Sequence, residues 1–174
     1  MRFISRWIAV VVATFLVSGC AATYEHRAVT EADAALDRGS PVLIGQPGNG
    51  RYGATEYEGS GKAVARAVQA AFAAHSNHVR VVPVCESFGC LNARDDSGEA
   101  YLVVPQILHW EDRATEWSGK LDRIKVKVSV YETGQSDPIA SRLMSGKSKW
   151  ATFGGDKPQD LLNAPISNFV DSLY

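Results

Sequence analysis

The sequence predicts an α/β fold: a single domain on a mixed sheet of about five strands, with a right-handed βαβ start, antiparallel hairpins and a C-terminal helix. Three observations predict it. Apolar runs at 42–44 and 79–84 bracket an amphipathic segment that starts at Ser60. Ile124, Val126, Val128 and Val130 alternate with Lys125, Lys127 and Ser129. Leu162, Ile166, Phe169, Val170 and Leu173 recur at helical spacing. A strand, a crossing helix and a second strand make a parallel pair, whereas strict alternation belongs to an antiparallel strand with one wet face.

In chain order, residues 1–19 read as a signal peptide. Arg2 and Arg6 precede an apolar run over 7–17, and Ser18 and Gly19 are small. This run is too short to span a bilayer, which takes roughly 20 apolar residues. The string Val17-Ser18-Gly19-Cys20 resembles the lipobox of bacterial lipoproteins. That resemblance implies acylation of Cys20 on its thiol and on the freed amine. Each buried methylene contributes about 0.8 kcal/mol and one chain anchors only marginally, so several chains would hold the domain at a membrane. Ala21, in place of Asp, implies sorting to the outer membrane, with the domain in the periplasm. Residues 20–40 then form a tether with a short helix, capped by Thr30, carrying Asp33 and stopped by Gly39.

The α/β domain occupies 41–174. Pro41 opens the first strand, and a glycine-rich loop spans 45–59. Ser60 serves as N-cap of a helix whose apolar face is Val64, Val68, Ala71, Phe72 and His75, with Lys62, Arg66 and Gln69 opposite. After the strand at 79–84 come a cysteine loop, a short helix near 91–94 and a third strand at 101–107, where Pro105 marks a bulge or an edge. The alternating strand at 124–130 turns at 134–138 into a fifth strand at 139–149, with Leu143 inward and Arg142 outward. Beyond Asp156 and Pro158 the chain closes in two helical pieces, the second starting at Pro165.

The leader carries two of the 18 basic residues and none of the 19 acidic ones, so the remainder is net acidic and has no electrostatic footprint for nucleic acid. Cys85 and Cys90 stand in an exported chain where disulfides persist, and the expectation is a bond between them that pins the intervening turn. Such a loop contributes about 2 kcal/mol by chain entropy. The spacing is not that of a redox pair, and no partner segment suggests zinc.

Gly48, Gly50 and Gly53 spell a dinucleotide fingerprint, but the helix begins several residues too late to receive a pyrophosphate, so no nucleotide cofactor is expected. Ser60, Gly61 and Lys62 place backbone donors and a cation at a helix start, a generic anion site, although capping alone explains Ser60. His109, Trp110, Glu111, Asp112, Arg113, Glu116 and Trp117 gather between the third and fourth strands. Tryptophans beside carboxylates suit a glycan, and Glu111 or Glu116 suits hydrolysis. The plainer account is a hairpin end in which Trp110 and Trp117 pack and Arg113 pairs with a carboxylate. No nucleophile elbow appears, and neither a metal nor any other cofactor is expected.

The strings GRYGATEYEGSGKAVA, YLVVPQILHWEDRATEWSGKLDRIKV and SGKSKWATFGGDKPQDLL resemble a family of short proteobacterial lipoproteins known only as a domain of unknown function. The order of elements is similar to the amino-terminal domain of the translocation protein TolB and to periplasmic lipoprotein activators, a likeness of fold that implies no activity. The expectation is a non-catalytic domain, anchored to the membrane through Cys20, that binds an envelope protein or polymer. Its natural sites are the 45–62 loop, the cysteine loop and the tryptophan hairpin. The rivals are a glycan or peptidoglycan binder and a cell-wall hydrolase.

Overall fold

The computed structural model describes residues 22–96, 100–113, 120–148 and 157–174. The leader, Cys20, Glu116 and Trp117 lie outside the described residues. The strands are β1 (Thr23–Thr30), β2 (Val42–Gly45), β3 (Arg51–Tyr52), β4 (Thr55–Glu56), β5 (Val79–Val82), β6 (Tyr101–Glu111), β7 (Arg123–Glu132) and β8 (Ala140–Lys147). Six of them form one mixed sheet in the order β1-β8-β7-β6-β2-β5, and β3 with β4 makes a separate ribbon. β2 lies between β5 and β6, parallel to both. From β6 through β7 and β8 to β1 every pairing is antiparallel.

Helix α1 (Ser60–Ala73) connects β2 to β5 and buries Val64, Val68, Ala71 and Phe72. It shares one face of the sheet with a 3-10 turn at Pro158–Leu161 and helix α3 (Asn163–Asp171). The alternation read from β7 meets this layer: Ile124, Val126, Val128 and Val130 are all buried there. On the other face, Leu43, Leu102 and Val104 pack beneath helix α2 (Phe88–Asn92) and Cys85. Cys85 and Cys90 are bonded, with their Cα atoms 5.6 Å apart. Ser87 caps α2 by accepting the Cys90 N–H.

Four expectations are corrected. The sheet has six strands because the expected tether is itself β1, paired with β8 from Thr23↔Lys147 onward. An edge strand with one side on solvent shows no apolar alternation, and only Tyr24 and Thr30 of β1 escape full exposure. No helix follows Thr30. The Asp37 carboxylate instead accepts the Gly39 N–H and the Ser40 hydroxyl, and the N–H of buried Leu36 donates to the Leu173 carbonyl. So short an alanine-rich stretch does not sustain a helix against such competitors.

Ser129 does not face water: it is buried, and its hydroxyl lies 2.9 Å from that of Ser141 across the β7–β8 pair. Lastly, Arg142 and Leu143 are exchanged. Arg142 pairs with Val128 on the helix side, its guanidinium 5.0 Å over the Phe169 ring, and Leu143 lies on the opposite face beside Lys127. A long aliphatic stem lets an arginine cover apolar surface in this way. Pro105 sits beyond Val103, the last β6 residue paired with β2, where that side of the strand is an edge.

Ser129→Ala alone strands the Ser141 hydroxyl and is expected to cost about 1–2 kcal/mol. Ser129→Ala with Ser141→Ala costs less than the two single changes together, as read in a double-mutant cycle of urea midpoints. Strictly additive losses contradict the buried hydroxyl pair.

Candidate binding cleft and the carboxylate cluster beside it

The pairing of β6 with β7 slips by one residue between Ile107 and His109. Leu108 is the extra residue and is 53% exposed. The slip places Trp110 opposite Ile124 on the helix face and Glu111 opposite Arg123 on the other. Trp110 is buried, and a Cβ added to Gly50 would stand 2.4 Å from its Cβ, so only glycine lets the loop close on it. Its ring is a packing element rather than a platform for a sugar.

Glu111 is buried as well and carries the cluster the sequence brought together. Arg113 Nε donates to Oε1 of Glu111, and His109 Nε2 lies 3.3 Å from Oε2. The same guanidinium donates to the Tyr52 hydroxyl at 3.0 Å and lies 5.3 Å over the Tyr52 ring. The Arg113 backbone N–H donates to buried Asp122 at 2.6 Å, and the Asp122 N–H donates to Ser148 Oγ at 2.9 Å. Burial pushes the Glu111 carboxyl up, but the hydrogen bonds from Arg113 and His109 and their positive charge outweigh it, and the net shift is downward. A general acid needs the opposite shift, so this carboxylate is suited to holding structure rather than to donating a proton. Tyr52 and Asp122 are the members the sequence did not signal, since neither carries a motif and both arrive through the tertiary fold.

The helix start is also corrected. Gly59, not Ser60, precedes α1, and Ser60 is buried: its hydroxyl donates to the Tyr57 carbonyl and accepts the Gly50 N–H. The Ser60 N–H donates to Tyr57, the Gly61 N–H to Asn49 Oδ1, and a Cβ on Gly61 would stand 2.2 Å from the Pro47 carbonyl oxygen. The Ser60 and Gly61 donors expected to meet an anion are therefore engaged within the loop. Lys62 is exposed at the helix surface. Within the glycine-rich loop, Gly53 lies in the β3–β4 turn and Gly50 packs on Trp110.

An open cleft of about 770 Å³ runs along α1 to the 3-10 turn. Glu58, Arg66, Asp112, Asp160 and Asn163 line it with Tyr57 and Trp110. Of the residues singled out in the sequence, Ser60, Trp110 and Asp112 border this cleft, while Glu111 and Arg113 belong to the adjoining cluster. The Cys85–Cys90 loop covers the opposite face of the sheet and is not part of the cleft.

A family model matches residues 34–173, from the segment before β2 through the last core residue. The chain belongs to the family described as a domain of unknown function, DUF4823. Among curated proteins none matches. The DUF4823 chain is similar in structure to the PelC dodecamer of Paraburkholderia phytofirmans, with a TM-score of 0.62 at 15% identity over 88% of this chain and 97% of that one. A point variant of that PelC gives 0.58 at 13% identity, with the same two coverages. XCC0632 from Xanthomonas campestris gives 0.45 at 12% identity, over 82% of this chain and 90% of that one. At such identities the PelC likeness establishes fold alone.

A carboxyl with a depressed folded-state pKa stabilises the fold above its ordinary value, here 4.5, and that contribution is lost as pH falls through the folded value. Glu111→Gln loses charge-assisted hydrogen bonds to a partly exposed arginine and is expected to cost about 1–2 kcal/mol near neutral pH, with a deficit that narrows in acid below 4.5. Thermal denaturation of both chains across that range checks it, and a deficit constant with pH contradicts it.

Proposed function

We propose that this DUF4823 protein is an outer-membrane-anchored lipoprotein whose periplasmic domain binds an envelope protein or polymer without catalysis, using the cleft along α1. The open cleft carries the reading. Its rim mixes carboxylates, an arginine, amides and the Tyr57 phenol, groups that recognise polar partners by hydrogen bonding, and its apolar floor is pre-formed by α1 and the 3-10 turn. The lipobox resemblance at Cys20 supports the anchor, and Ala21 supports the outer membrane as its destination.

A second reading has the chain assemble with copies of itself. The observation that favours it is the fold similarity to PelC, which forms a dodecamer. Hydrolysis by Glu111 finds less support, because Arg113 and His109 hold that carboxylate ionised and buried.

A photo-crosslinking residue at Arg66 or Asn163, in the cleft, is expected to give a discrete adduct with one envelope component in intact cells. The same residue at Gln135, in the β7–β8 turn, gives none. Equal adducts from all three positions, or none from any, contradict the cleft as the binding surface. A shift of the adduct to twice the monomer mass favours self-assembly. Failure of Cys20 to incorporate labelled palmitate removes the anchor.

A further inference from the structure

Among the described residues, one half of the sheet's second face is uncovered. α2 and the disulfide pack over Leu43, Leu102 and Val104, and the part built from β1, β8 and the first half of β7 has no layer above it among the described residues. Its side chains follow from three rungs of the register. Thr23 pairs with Lys147 and Lys147 with Arg123; Glu25 with Ser145 and Ser145 with Lys125; Arg27 with Leu143 and Leu143 with Lys127. The alternate residues of these strands, such as Val126, Met144 and Gly146, point to the helix layer.

Nine positions thus hold five cations and one acid, in a chain whose net charge is −1. Arg27, Arg123, Lys125 and Lys147 are exposed, Lys127 is half-buried, and none of the five makes an ion pair among the described residues. With strands about 4.8 Å apart, Lys147 and Arg123 are direct neighbours, Arg27 and Lys127 flank Leu143 and Lys125 faces Ser145, an array spread over a surface rather than gathered in a pocket.

The first rung is also where the chain enters from Cys20. Only Ala21 and Ala22 separate Cys20 from Thr23, three residue steps with a reach of at most about 10 Å. With no tether, whatever acyl chains Cys20 carries hold Lys147 and Arg123, one and two strands away, beside the headgroups. Acidic lipids attract cations held within a Debye length of the surface.

We propose that this open sheet face lies flat on an anionic phospholipid bilayer, with Arg27, Arg123, Lys125, Lys127 and Lys147 on the headgroups. The proposal rests on the lipoprotein reading for its geometry, and the following experiment separates the two. The mature protein, extracted from membranes, is mixed with vesicles of phosphatidylcholine alone or of phosphatidylcholine with phosphatidylglycerol, and floated. Its lysines are then labelled with an amine reagent that does not cross the bilayer.

Flotation with the neutral vesicles reads the acyl chains. On anionic vesicles Lys125, Lys127 and Lys147 are expected to label about fivefold or more slowly than on neutral ones, while Lys62 and Lys157, on the helix side, are unchanged. The protection disappears at ~1 M salt, where screening acts over about 3 Å. Arg123→Glu with Lys127→Glu abolishes it at Lys125 and Lys147. Equal labelling on the two vesicles, or protection that appears in detergent and grows with protein concentration, as a second copy covering the face would give, overturns the proposal. A protein that fails to float with neutral vesicles ends the anchor reading alone. The patch then stands if flotation with anionic vesicles persists and weakens about thirtyfold or more in the double variant, and falls if that flotation is absent.

Discussion

One extra residue in β6 sets the phase of everything around the candidate site. A strand exposes alternate side chains to alternate faces, so a slip of one exchanges the two sets. Before Leu108, Val103 and Ile107 lie on the helix face, opposite Val130 and Val126. Without the slip, His109 would fall opposite Ile124 in the core and Trp110 opposite Arg123. The bulge restores the pattern by turning Trp110 inward against Gly50 and Ile124 and sending Glu111 to the far side, into the reach of Arg113. A burial worth about 3 kcal/mol for an indole and a satisfied buried carboxylate both depend on that single insertion. Bulges concentrate where a sheet must re-aim side chains, and this one lies where β6 runs past the last residue of β2.

The same register joins regions far apart in sequence. Thr23, Lys147, Arg123 and Glu111 form one continuous rung across four strands. The end of the sheet where the chain arrives from Cys20 is therefore the end that carries the Glu111 cluster, with Trp110 and Asp112 opening onto the cleft beside it. A domain held by Cys20 would keep that end close to its membrane. The disulfide serves the other end, closing α2 over Leu43 and Leu102, where the parallel strands are short and need cover on their second face.

Much of this was legible in the sequence. The valines of β7, the Ser60–Ala73 helix and the C-terminal helix follow from spacing, because each buries one face against a thick core. β1 was not legible, since an edge strand with one dry contact has no apolar period to read. Ser129 and Arg142 were misplaced for a related reason: polarity predicts the wet face only where a polar group lacks a partner, and Ser141 and the Phe169 ring supply one each. Of the site, the sequence brought His109, Glu111 and Arg113 together correctly. It could not show that Trp110 is buried or that the donors at the start of α1 are engaged, because both depend on how close a glycine lets one segment come to another.

The phase of β6 after Leu108 is open to direct measurement in solution. Nuclear Overhauser contacts of the Trp110 side chain report which face it occupies. Contacts to the Gly50 α-protons and to the Ile124 side chain are predicted, together with a cross-strand contact between His109 and Lys125. Trp110 contacts to the Arg123 side chain with none to Gly50 would mean an uninterrupted strand and would contradict the account.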